Sequence, residues 1–243
     1  MNVTHKKLLL SIVSLLFCLI VAPVYADDIT LRVVQETSDA LDIEISILNY
    51  SFIKSPYQGY KKIVISGCSL IKKSGAPGTL LRGQLLEIPE DKTVQISYQT
   101  IEKITLSNVL LAPVPHRIIE KDDTRSEKVI EEYRIDTAIY STDNFYPGTI
   151  AAVDFTGYLR DKPIANILVY PVQYNPVSKK LELHKKIKIH VSFTDVIFKN
   201  TKTALNSFIS RVTPEIKNNN PFNSIYRSTL LNFKEDGESE ANY

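Results

Sequence analysis

The chain has 243 residues, with 29 Lys and Arg against 27 Asp and Glu, a formal charge of +2 and no tryptophan. That length can bury a sizeable core without cross-links, and the near-neutral balance excludes the basic field that nucleic acid or an anionic membrane surface requires. One of its two cysteines, Cys18, lies in an N-terminal apolar run, so Cys68 alone cannot build a disulfide framework in the remainder.

Residues 1–26 read as a cleavable secretory signal peptide. His5, Lys6 and Lys7 form a basic start, Leu8 to Val21 an apolar run shorter than a comfortable membrane span, and Val24-Tyr25-Ala26 a cleavage site after Ala26. Lys6 and Lys7 account for the whole excess of positive charge, because the leader holds no acid. Cys18 follows Phe17, where lipid attachment expects a small residue, so a lipoprotein is not read here. No second apolar run of spanning length follows, and the expected location is secreted or periplasmic, by bacterial export.

Beyond the leader, apolar residues recur at every second position. In Leu41–Ile47 and again in Ile187–Phe193 one face is apolar and the other polar, the pattern of a half-buried strand. Further β-type runs, rich in Val, Ile, Thr, Tyr and Phe, are Lys62–Ser66, Gln84–Ile88, Thr93–Leu106, Ile150–Leu159 and Ile164–Val172. Turn chemistry separates them at Ser74-Gly75-Ala76-Pro77-Gly78, at Pro89–Lys92 and at Pro113-Val114-Pro115. The clearest turn is Tyr174–Ser178, where Asn175 and Pro176 suit the first two positions of a type I turn, and Ile164–Val172 with Leu181–Phe193 reads as one long hairpin.

Two segments break the pattern. Residues 116–136 are crowded with charge and predict a solvated loop or short helix. Residues 199–243 lose strand character; Ala204–Val212 is a candidate short helix, and from Asn218 a weakly ordered tail or linker is expected. Many short strands without alternating helices predict an all-β fold, an antiparallel, jelly-roll-like β-sandwich over residues 27–198.

Catalytic constellations are not visible. There is no paired-cysteine or helical His-x-x-x-His ligand set, and no metal or cofactor is expected. His184 and His190 read as members of an exposed polar strand face. Asp122, Asp123 and Asp143 lack the ligand spacing of a calcium loop. No Gly-x-Ser-x-Gly elbow supports a serine nucleophile. Cys68, in Ile-Ser-Gly-Cys-Ser, reads as a buried or semi-buried structural cysteine, and the chain is not expected to be an enzyme.

The stretch from Tyr146 to Phe193 carries a resemblance. It contains Tyr146-Pro147-Gly148, a strand end Gly157-Tyr158-Leu159-Arg160, the turn Pro171-Val172-Gln173-Tyr174-Asn175-Pro176 and the long alternating strand Leu181–Phe193. Upstream stand Gly75-Ala76-Pro77, Ile88-Pro89 and Val94-Gln95-Ile96. Together these resemble the propeptide domain of gingipain-type cysteine peptidases (peptidase family C25), over roughly residues 70–195 and most specifically over 146–193. Gly78-Thr79-Leu80-Leu81 departs from that family's usual Leu-Pro.

The resemblance implies a β-sandwich that assists folding of a cysteine peptidase and blocks its cleft with an exposed loop offering a basic side chain. The implied partner is a peptidase domain, in cis (missing from this chain, which ends at Tyr243) or in trans. The exposed, charged segment 116–136 is the candidate loop, with Arg125 first and Arg117, Lys128 and Arg134 behind it, since a guanidinium pairs well with a buried acid. Ala26, Arg211 and Arg227 are the processing candidates. Two other readings stay open: a secreted module binding a glycan or cell-surface partner through Tyr50, Phe52, Tyr57 and Tyr60, and an exported enzyme of unrecognised class.

Overall fold

The structure is a computed structural model that describes residues 27–121, 127–195 and 221–235. The predicted leader with Ala26, the candidate helix 204–212, Arg125 and Arg211 lie outside the described residues. In chain order the strands are β1 (Ile29–Glu36), β2 (Ala40–Ile47), β3 (Ser51–Lys54), β4 (Lys61–Val64), β5 (Ser69–Leu70), β6 (Leu80–Glu87) and β7 (Lys92–Leu106). They continue with β8 (His116–Lys121), β9 (Glu127–Glu132), β10 (Ala151–Leu159), β11 (Lys162–Val169), β12 (Val172–Asn175) and β13 (Lys180–Asp195). Two short helices, α1 (Thr137–Tyr140) and α2 (Asn223–Thr229), complete the list.

Period-two alternation builds the first sheet. Leu41, Ile43, Ile45 and Ile47 of β2 and Ile187, Ile189 and Val191 of β13 are all buried, and the two strands pair antiparallel with Leu41 opposite Val191. β7 runs along one edge of β13 from Leu181 to Asp195, so β2 and β12 share the other edge, and β1 pairs on the far side of β2. The outer face of this sheet is a ladder of charge. Asp42 meets Lys188 at 3.0 Å and His190 at 2.6 Å, and Glu44 meets Lys186 at 3.0 Å and also Arg32.

The second sheet has the order β10-β11-β6-β5. Its Leu80, Leu86, Ala165, Ile167 and Val169 join the residues of the first sheet in one apolar core. Two antiparallel sheets sharing one core make the expected all-β sandwich.

Three local expectations change. The long hairpin predicted across residues 164–193 is divided between the sheets: β11 pairs with β10 and β6, and only β12, from Val172, pairs with β13. The reason is Tyr170-Pro171, which separates the two strands and lets the chain cross from one sheet to the other. The turn itself is as read: Asn175 Oδ1 accepts from the amides of Val177 and Ser178, both at 3.0 Å.

His184 is buried at 7%, not part of an exposed face, whereas His190 is. A register shift between His184 and Ile187 breaks the alternation at that point. Lastly, where a weakly ordered tail is expected, residues 221–235 pack on the outer face of the second sheet. Phe222, Tyr226, Leu230 and Phe233 recur at helical spacing, and they cover Ile164, Leu85 and Leu159.

A projecting hairpin and its root as the candidate functional site

Within the charge-crowded segment, residues 116–121 and 127–132 are neither loop nor helix but strand. β8 and β9 form an antiparallel hairpin in register from His116 opposite Glu132 to Lys121 opposite Glu127. Residues of opposite charge stand at paired positions across it: Arg117 with Glu131, and Glu120 with Lys128. Such pairs stabilise a ladder, and the β-branched Ile118, Ile119, Val129 and Ile130 suit strands. The composition that looked like a solvated loop is cross-strand complementarity.

The hairpin stands off the sandwich, forming a two-stranded sheet of its own. Ile119 and Val129, directly opposite each other, are both 58% exposed, and Ile118 is 45% exposed on the other face. Its strands of six residues run about 17 Å at ordinary strand rise, from the base to Lys121 and Glu127, the residues that flank the connection. That connection, residues 122–126 with Arg125, lies outside the described residues.

Both legs are held at the base. Gly75 bridges them with its own backbone: its N–H donates to the Val114 carbonyl at 2.9 Å, and its carbonyl accepts from the Asp136 amide at 2.8 Å. Gly75 has φ +79°, and a Cβ there would lie 3.1 Å from the Asp136 nitrogen, so the position needs glycine twice over. Asp136 then caps α1, its Oδ1 accepting from the amides of Ala138 at 3.0 Å and Ile139 at 3.4 Å.

A second tie comes from the side. Lys62 Nζ of β4 donates to Tyr133 Oη at 2.6 Å, Tyr133 donates to Glu131 at 3.0 Å, and Glu131 pairs with Arg117 at 3.5 Å. The Tyr57 ring stacks on Tyr133 at 6.4 Å and packs on Tyr60 at 4.7 Å. Of the aromatics named in the sequence, Tyr57 and Tyr60 are thus engaged with each other and, through Tyr57, with the hairpin base, whereas Tyr50 and Phe52 meet edge to face and pack against the core.

Among the named basic candidates, Arg117 and Arg134 are exposed but paired, with Glu131 at 3.5 Å and Glu132 at 2.6 Å. Lys128 is exposed on β9, next to the connection. Arg227 sits in α2, paired with Glu235 at 2.7 Å. Cys68 packs against the core, and burial pushes its thiol up to about 11. It stays protonated at neutral pH, the opposite of what a nucleophile requires. Asp143 accepts from Asn175 at 2.8 Å, as part of the turn.

The residues that carry the resemblance meet around Gln173. Its Oε1 accepts from the Gly148 amide at 2.9 Å, and its Nε2 donates to the carbonyls of Thr149 at 2.7 Å and Tyr170 at 3.2 Å. A buried amide satisfied on both sides fixes the sheet-to-sheet crossing next to Pro147-Gly148.

Comparison with known proteins agrees with this architecture. The family model Propeptide_C25 matches residues 26–241. Gingipain R1 of Porphyromonas gingivalis is 24% identical over 202 residues, which are 82% of this chain and 19% of that protein. Gingipain R2 of the same organism is 27% identical over 164 residues, 68% of this chain and 20% of that protein. This chain thus spans about a fifth of the curated relatives it matches.

Two solved structures share the fold. One is a complex of the Porphyromonas gingivalis RgpB pro- and mature domains, with TM-score 0.64 and 21% identity, covering 83% of this chain and 95% of that one. The other concerns zymogenic latency of gingipain K from that organism, with TM-score 0.56 and 21% identity, covering 73% and 97%. A match running from Ala26 to Ala241, on a sandwich of the same architecture, gives one assignment: the chain belongs to the C25 propeptide family.

Proposed function

We propose that this protein is an exported propeptide module that keeps a gingipain-like cysteine peptidase latent and assists its folding. It presents the β8–β9 hairpin to the peptidase cleft, with the side chain of Arg125 as the plug. The observation that carries this reading is the hairpin itself: a two-stranded ladder of its own with both legs tied at the base and one exposed apolar cross-strand pair, Ile119 and Val129. An object of that shape fills a cleft better than a floppy loop, because its conformational entropy is already lost before binding. Lys128 flanks the plug, while Arg117 and Arg134 are occupied in pairs that stiffen the base. The partner acts in cis or in trans, and the module itself is not catalytic.

Export by a leader ending at Ala26 is part of the same proposal. Its support is that chain pairing starts at once beyond it: the Asp28 amide donates to the Ser66 carbonyl at 3.0 Å, and Arg82 reaches Asp27 at 3.3 Å. Among the described residues no helix is long and apolar enough to cross a membrane.

The test is a titration of the full exported chain against each C25 peptidase of its own source organism, read with arginyl and lysyl chromogenic substrates. Tight inhibition is expected, and Arg125→Ala should weaken it by about 100-fold, as removal of a central anchor does (about 3 kcal/mol). If all those peptidases run at full speed with the chain in excess, the reading fails.

A further inference from the structure

The sequence singled out Tyr57 and Tyr60, and neither the plug nor the core accounts for them. Tyr57 lies in the turn between β3 and β4, closed by a bond from the Tyr60 amide to the Tyr57 carbonyl at 3.0 Å. Its ring stacks at 23° on Tyr133, the residue that follows β9. Lys62 both donates to the Tyr133 hydroxyl at 2.6 Å and places its ammonium 5.1 Å from the centre of that ring.

From Tyr133 the connection continues through Glu131 of β9, at 3.0 Å, to Arg117 of β8, at 3.5 Å. One unbroken run of side-chain contacts thus starts on a small sheet of the body and ends on the far strand of the hairpin. The bonds of Gly75, with those from Val114 N to the Ala76 carbonyl at 2.8 Å and from Ser74 Oγ to the Pro115 carbonyl at 3.3 Å, fix where the two legs leave the body, but all of them lie at the pivot. A lateral brace is what fixes tilt, and this is the position the run occupies.

We propose that Tyr133, held by Lys62 and Tyr57 and passing its hold through Glu131 to Arg117, is the positioning residue that sets the hairpin's angle and so tunes inhibition without touching the peptidase. This rests on the proposed plug function of the hairpin. A brace of this kind acts by pre-organisation: removing it leaves every contact with the partner available and makes the correct pose rarer. The hydroxyl of Tyr133 accepts from Lys62 and donates to Glu131, so Tyr133→Phe breaks the run while keeping the stack. Lys62→Met breaks it from the other end, and Lys62→Arg preserves a donor there.

The experiment compares the full chain with Tyr133→Phe, Tyr133→Ala, Lys62→Met and Lys62→Arg against a peptidase that the unaltered chain inhibits. Amide exchange in β8–β9 and in β13 is followed in parallel. Inhibition should weaken about 10-fold or more in Tyr133→Ala and several-fold in Tyr133→Phe and Lys62→Met, and it should persist in Lys62→Arg. Exchange should quicken across 127–132 and stay unchanged in β13. Equal inhibition by all variants, or faster exchange in β13 as well, overturns the brace while leaving the plug function standing. An unaltered chain that inhibits none of its organism's C25 peptidases removes the plug function, and the brace falls with it.

Discussion

His184 brings two ring nitrogens into a site that satisfies one. Nδ1 lies 2.8 Å from the Thr100 hydroxyl, whereas Nε2 is buried without a hydrogen-bond partner among the described residues, with Glu182 3.9 Å away. Burial holds its pKa below the ordinary 6.5, against the pull of Glu182, which is itself paired with Lys103. The folded state therefore binds this proton less readily than the unfolded chain does. Stability from the neutral imidazole is complete above about pH 6.5 and declines as pH falls from there toward the depressed folded value. Urea midpoints taken from about pH 7.5 to about pH 5.5 should drop on the acid side, and His184→Gln should flatten that slope. A midpoint that does not move between those values contradicts the account. Asp42 works in a separate, more acidic window: His190 and Lys188 hold its carboxyl below 3.8.

At the scale of elements, the segment 221–235 behaves as a clamp on the second sheet. Tyr226 is fully buried and donates to Asp161, the Arg160 guanidinium lies 3.7 Å over the Phe222 ring, and Leu230 is 4% exposed. Asn232 grips β6 by its backbone, accepting from the Glu87 amide at 2.8 Å and donating to the Glu87 carbonyl at 3.0 Å. Tyr226→Ala should cost about 3 kcal/mol in a urea titration, as loss of a large buried side chain does. Deleting 221–235 should expose Ile164, Leu85 and Leu159, detectable by dye binding, while the strands of the first sheet survive. A deletion that binds no dye and unfolds at the original midpoint would show the clamp to be dispensable.

The sequence revealed the strands better than their partners. Leu41–Ile47, Thr93–Leu106 and the long strand after the Asn175 turn were legible because alternation reports one buried face directly. Which strand lies beside which depends on contacts far apart in the chain: Pro171 marks a break in the run 164–172 but does not say that β11 and β12 serve different sheets. The hairpin was hidden by composition, since charge counts ignore pairing, although the order of signs in His116–Lys121 against Glu127–Glu132 is complementary when one strand is reversed. The clamp has a signal in the sequence: Phe222, Tyr226, Leu230 and Phe233 recur three or four residues apart within an otherwise polar stretch, although only 223–229 is helix. For the proposed site, charge density draws attention to 116–136 and its basic residues, but it does not show how the two strands are held. The base at Gly75 and Tyr133 was beyond reach, because it joins residues from separate loops.

For the molecule as a whole, connectivity sets the order of assembly. β13 has β7 on one edge and β2 and β12 on the other, so three strands of the first sheet find their places only through it. Contacts this distant in sequence slow folding, placing it in the millisecond-to-second range typical of sandwiches. A chain stopped at Lys179 should lack any cooperative unfolding transition and should aggregate, because β2 and β7 would have unpaired edges lined with apolar residues. A cooperative melt from that fragment would show that β13 is not the centre of the sheet.

The late position of β13 also bears on synthesis. At ordinary elongation rates, roughly ten seconds or more separate the making of Leu41 from that of its partner Val191. Throughout that interval the edge of β2 that receives β13 stays open beside a row of isoleucines, so a holdase that grips extended apolar strands has its best opportunity before the final strand emerges. Slowing translation ahead of β13 would lengthen that exposure and should shift product from folded protein to inclusion bodies.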